Sequence, residues 1–290
     1  MDTFSLFRKV ALCALPVLLS TALSAQTNCD DRTTPINPAQ PTGMTVPQVI
    51  EKFAAREAVF KQARNNYTYT QDITVQTLEG NTVDGEYHQV WDITYDNKGT
   101  RLENVTFAPM DTLQRVSMSP ADFDDLRNRL PFVLTTEELP LYDVLYTGQQ
   151  HVDEIDTYVF ELAPKHIEKK QRYFQGRIWV DNRDFQIVKT CGRNVPDVFA
   201  KSGRKRNAGK ENLTPAFVTY REQIDGVYWF PTYTRAEDTL KFATGDVKIR
   251  EIVKYSNYKR FGSKVTITYQ GEEVKKVPSQ QPEKPQEKPQ

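Results

Sequence analysis

From Asn66 onward the chain alternates large apolar and polar side chains with a period of two, in run after run separated by short turns. That pattern favours strands with one buried face, paired antiparallel through tight connections. In the first run Tyr67, Tyr69, Ile73 and Val75 share one face, and Thr68, Thr70, Asp72, Thr74 and Gln76 share the other. A turn at 79–81 leads to Tyr87, Gln89, Trp91, Ile93 and Tyr95, which alternate with His88, Asp92 and Thr94. The Asp-Asn-Lys-Gly turn at 96–99 opens a strand ending at Phe107. Further runs lie at 141–148, 157–163, 172–181, 184–191, 217–223, 228–237, 247–258 and 264–269, giving about eleven strands. In the clearest hairpin, a two-residue loop at Asn182 and Arg183 sets Val180 opposite Phe185 and Ile178 opposite Ile187, with Phe174 on the same face.

Two segments break the pattern. Thr45 can cap a helix with Pro47 in its first turn, and Val49, Ile50, Phe53, Ala54, Glu57, Phe60 and Ala63 recur at helical spacing over 45–65. Ser119 and Pro120 open a second helix with Phe123, Leu126 and Leu130 on its stripe, ended by Pro131. Helices do not alternate with strands, which argues against a doubly wound parallel sheet. The expected fold is mainly β: one large, strongly curved antiparallel sheet with two or three helices on its concave face, occupying 45–269 as a single domain.

The ends differ in composition. Arg8 and Lys9 precede an apolar run at 10–19, and small residues follow to Ala25. This reads as a secretory signal over 1–25, cleaved after Ala25, because the run is too short to span a bilayer. Cys29 follows Gln26-Thr27-Asn28, which does not suit lipidation. Residues 26–44 read as a disordered leader, and 270–290, rich in Pro, Gln, Lys and Glu, as a disordered tail. Cys29 and Cys191 are the candidate pair for a disulfide in an oxidising compartment, and spacing alone does not choose between a bridge and two free thiols.

The chain carries 38 Lys and Arg against 38 Asp and Glu. That balance argues against a nucleic-acid partner. The basic stretch with Lys201, Arg204, Lys205, Arg206 and Lys210 reads as a solvated connector. His88, His151 and His166 have no zinc-ligand spacing, so neither a metal site nor a cofactor is expected. No nucleophile elbow, zincin, phosphate-loop or dinucleotide motif occurs, and no catalytic residue is assigned. The strands present more apolar surface than two or three short helices cover. Trp91, Phe107, Phe174, Ile178, Phe185 and Ile187 are therefore the candidate lining of an apolar cavity, although each taken singly is an ordinary core residue.

Two stretches carry a family likeness. One is Tyr173-Phe174-Gln175-Gly176-Arg177-Ile178-Trp179-Val180-Asp181 followed by Asp184-Phe185-Gln186-Ile187-Val188-Lys189. The other is Asp225-Gly226-Val227-Tyr228-Trp229-Phe230-Pro231 with Val247-Lys248-Ile249-Arg250 and Tyr255-Ser256-Asn257-Tyr258-Lys259-Arg260-Phe261. Together they resemble the outer membrane lipoprotein-sorting proteins, the LolA/LolB-like carriers, over about residues 45–268. The resemblance implies a half-open barrel with a helical lid over a hydrophobic cavity. It implies a soluble periplasmic carrier of lipid or lipoprotein acyl chains, handing them to an envelope partner at the outer or inner membrane without catalysis. The alternatives are an envelope scaffold of the same fold with no ligand, and an enzyme acting on an envelope lipid or glycan.

Overall fold

The structure, a computed structural model, describes residues 29, 34–96, 98–129, 132–168, 171–196, 213–242 and 244–261. The signal segment 1–25, the basic stretch at 201–210, the strand expected at 264–269 and the tail 270–290 lie outside them. Helix α1 (Val46–Ala63) starts where the caps require. Thr45 accepts from the Gln48 N–H, the Gln48 side chain accepts in return from the Thr45 N–H, and Pro47 sits in the first turn. Its stripe buries Val49, Phe53, Ala54, Glu57 and Phe60.

Among the described residues ten strands follow: β1 (Tyr67–Glu79), β2 (Thr82–Tyr95), β3 (Arg101–Phe107), β4 (Tyr142–Val152), β5 (Ile155–Pro164), β6 (Tyr173–Asp181), β7 (Ile187–Val195), β8 (Phe217–Gln223), β9 (Trp229–Phe242) and β10 (Gly245–Arg260). They form one antiparallel sheet in the order β3-β2-β1-β10-β9-β8-β7-β6-β5-β4. The first and last strands pair in the middle, and β3 and β4 are its two edges, so the sheet stays open. The chain crosses between those edges through helix α2 (Pro120–Asp124), capped by Ser119, and a π-helical turn over Asp125–Arg129. Among the described residues no helix is long and apolar enough to cross a membrane.

The β6–β7 hairpin departs from the expected register. Val180 pairs with Ile187, and Ile178 with Thr190, rather than with Phe185 and Ile187. The Asp181 carboxylate accepts from the Arg183 N–H at 2.6 Å, and Phe185 takes a left-handed φ of 58°. The loop is therefore longer than two residues, and a bulge follows it between Val180 and Trp179.

Part of the leader is placed against the sheet. Asn37 exchanges two backbone hydrogen bonds with Gln149 on the β4 edge, at 2.8 and 2.7 Å. Gly148 allows this approach, since a Cβ there would meet Ile36 at 2.8 Å. Cys29 packs beyond it with Ile36, Val159, Trp179, Val188 and Val218 in an outer cluster. The described leader residues thus lie on the convex side at Cys29 and against the β4 edge at Asn37, where the pairing satisfies the backbone groups of Gln149.

Candidate functional site

The concave face is roofed by α1 and by the side chains of Phe123, Leu126, Phe132 and Leu134. Beneath the roof aromatic side chains interlock. The Phe53 ring lies 5.3 Å from Phe160, and Phe132 stacks on Phe174 at 4.5 Å. Glu57 sits on the apolar stripe of α1, and Arg221 on β8 points up to it. The Arg221 guanidinium reaches both Glu57 oxygens at 3.1 Å, and the two side chains are 1% and 0% exposed. Burial pushes the Glu57 carboxyl above its usual value, while the Arg221 charge and the Ile187 N–H, 3.0 Å away, oppose that shift. Arg221 also donates to the Phe132 carbonyl. One strand side chain therefore ties down both pieces of the roof.

At the end of the sheet where α1 stops, a cavity of about 320 Å³ opens under the edge of the roof. Its apolar and aromatic wall is Phe60, Tyr69, Tyr95, Phe230, Pro231 and Tyr258, and its cations are Lys61, Arg64, Arg101 and Arg127. Tyr69 and Tyr258 stack at 5.2 Å. Burial above all, with the neighbouring tyrosines adding to it, holds the Tyr95 and Tyr258 hydroxyls well above their usual range, so both remain protonated donors. Lys61 pairs with Glu138 at 3.0 Å. Arg101 and Arg127 both meet Glu103.

A second cavity, about 80 Å³, lies at the opposite end. Val75, Leu126, Leu240 and Ile249 wall it, and Asp122, Asp125 and Glu251 line it. Burial, then the charges of Asp125 and Asp122, pushes Glu251 up to about 8. Burial raises Asp125 to about 6 against the pull of Arg172, which it meets at 2.6 Å. A protonated carboxyl here can donate a hydrogen bond, but the volume is well under the ~300 Å³ at which small-molecule pockets begin. Among the described residues no group of His, Cys, Asp and Glu is placed to hold a metal ion.

Of the six residues expected to line a cavity, Trp91, Phe174, Ile178 and Ile187 meet in the central core, and Phe185 packs at its margin under the Lys52 ammonium at 4.7 Å. Phe107 is 48% exposed and sets its edge to the His88 ring at 4.9 Å. The cause is a bulge: Val105 pairs with Trp91 but Phe107 with Val90, and the slip turns Phe107 to the outer face. None of the six lines either cavity. They fill the centre. The cavity walls come from strand ends, where alternation no longer says which side is covered. Cys29 and Cys191 are bonded, with Cα atoms 5.7 Å apart.

No protein-family model matches the chain, and no curated protein does. Among solved structures it is similar to a LolA superfamily protein from Nitrosomonas europaea, at 14% identity over 72% of this chain and 94% of that one, with a TM-score of 0.33. A domain assigned as an outer membrane lipoprotein-sorting protein from Vibrio parahaemolyticus gives 12% identity over 77% and 95%, with a TM-score of 0.38. A DUF1329 family protein from Desulfovibrio piger gives 16% over 76% and 95%, with a TM-score of 0.33.

Proposed function

We propose that this protein is a non-catalytic periplasmic carrier that holds the acyl chain of a lipid or lipoprotein between its concave face and its roof. The observation that carries the reading is the 320 Å³ aromatic cavity, which opens beneath a roof held to the sheet by a buried ion pair. An acyl chain loses about 0.8 kcal/mol for each CH₂ left in water, so a dry wall of rings is sufficient for binding and no reacting group is required. The packed centre is then the closed arrangement. A longer chain enters from the cavity only if α1 lifts, and lifting α1 separates Glu57 from Arg221. The signal segment delivers the protein to the periplasm, and an envelope partner receives the chain.

Mass spectrometry of the protein purified natively after export, before and after solvent extraction, tests this. A stoichiometric lipid or acylated peptide is the expected result. A clean apo mass together with no uptake of a fluorescent fatty acid would leave the scaffold reading in its place. The reading as an enzyme acting on an envelope lipid or glycan would draw on the buried carboxylates of the acidic cavity, whose 80 Å³ is well under the ~300 Å³ at which small-molecule pockets begin.

A further inference from the structure

The cations around the 320 Å³ cavity outnumber the carboxylates that meet them. Lys61, Arg64, Arg101 and Arg127 line it, while Glu138 takes Lys61 and Glu103 takes both Arg101 and Arg127. Two carboxylates against four cations leave two positive charges. Arg64 is the residue left over. It follows the last turn of α1, its side chain has no hydrogen bond or ion pair within the described residues, and its Nε is buried without an acceptor. A buried donor with no partner is destabilising, and a charged one more so, so such a group in a lined cavity calls for a ligand atom.

The surroundings narrow what that atom is. Every titratable group lining the cavity is a cation or a tyrosine, and no carboxylate is among them. Tyr69, Tyr95 and Tyr258 add hydroxyls to the same wall, although the Tyr258 hydroxyl already donates to the Pro231 carbonyl at 2.6 Å. The carboxyl end of α1 opposes an anion, but a helix terminus at an exposed site contributes less than an unpaired guanidinium can supply to an oxyanion. The five rings Phe60, Tyr69, Tyr95, Phe230 and Tyr258 make the rest of the wall apolar, which suits a hydrocarbon stem next to a charged head.

We propose that this cavity selects the anionic head of an amphiphile, a carboxylate or a phosphate, with Arg64 as its anchor and the aromatic wall holding the first part of the chain. The proposal rests on the carrier reading and specifies which end of the ligand is recognised. A free fatty acid supplies the carboxylate and a phospholipid the phosphate.

The test is a titration of the full delipidated protein at pH 8, below micelle formation, with four ligands of one chain length: decanoate, decyl phosphate, decanol and decylamine. Trp91 lies beside Arg101 and Arg127, at 5.7 and 5.5 Å, and its fluorescence is the readout, with calorimetry as the check. At least one of the two anions should bind about tenfold tighter than decanol, and decylamine weakest. The tighter anion identifies the source, and equal affinities support the shared chemistry. Arg64→Gln should bring the anions to the decanol level while decanol is unchanged, and Arg64→Lys should keep part of the preference. Decanol binding as well as the anions, or an Arg64→Gln protein that keeps the preference, overturns the proposal and leaves the carrier reading standing. Failure of all four ligands to bind removes both.

Discussion

Glu57 and Arg221 are the residues whose chemistry most exceeds their packing. A carboxylate on the apolar stripe of a helix and an arginine in phase with the inward Phe217 and Thr219 are each anomalies in the sequence. Their partnership was not legible, because nothing in either stretch names the other across 164 residues. Removing one member strands the other charge in the core. Glu57→Leu and Arg221→Met should each lower the unfolding free energy by about 3–5 kcal/mol, and the two together by much less than their sum. Urea unfolding of the four proteins measures this, and strictly additive single effects would show that the pair does not act as a unit.

Glu251 gives a pH signature at the same scale. Its carboxyl is raised from 4.5 to about 8, so between those values the unfolded chain ionises while the folded protein stays protonated. Stability from this group is therefore full below about 4.5, falls as pH rises, and levels off above about 8. Asp125, raised to about 6, adds in the same direction over the lower part of that window. The Tm of Glu251→Gln should exceed that of the parent by a margin that widens from pH 5 to pH 8 and then stays constant. A margin that is flat with pH would mean the carboxyl is not held protonated.

At the scale of elements, the β6–β7 pair depends on two glycines that face each other. Gly176 pairs with Gly192, and a Cβ on Gly192 would come within 2.8 Å of the Gly176 Cα. Gly192→Ala should spread the two strands and cost about 1–3 kcal/mol, read as a fall in Tm without loss of the far-ultraviolet strand signal. The same hairpin marks the limit of reading strands from alternation. Alternation located both arms, and the caps at Thr45 and Ser119 located both helix starts. The register was missed because it depends on Phe185 adopting a left-handed backbone that no glycine or asparagine announces, and on Asp181 folding its own carboxylate into the loop. Phe107 was misplaced for a related reason, since a single bulge reverses the phase on which any count of alternate positions relies. The basic cavity is the converse case. Lys61 and Arg64 fall on the polar side of the helical pattern at 45–65, and only the sheet curving up beside them makes them part of a wall.

At the scale of the whole molecule, the leader is the least expected part. Its composition gave no reason for it to pack, yet a bonded Cys29 and a pairing at Asn37 hold it round one edge of the sheet. Cys29→Ser should therefore destabilise the protein by about 2–4 kcal/mol, and reductant should lower the Tm of the parent to that of the variant while leaving the variant unmoved. If both proteins melt alike without reductant, the bridge adds nothing to the native state. The sulfur link also has a mechanical meaning. Tension entering the chain ahead of Cys29 passes directly into β7, bypassing the 162 positions of sequence that separate the two cysteines. The helix α1 and strands β1 to β6 lie off that covalent path, and the roof meets it only where Arg221 on β8 holds Glu57 and Phe132.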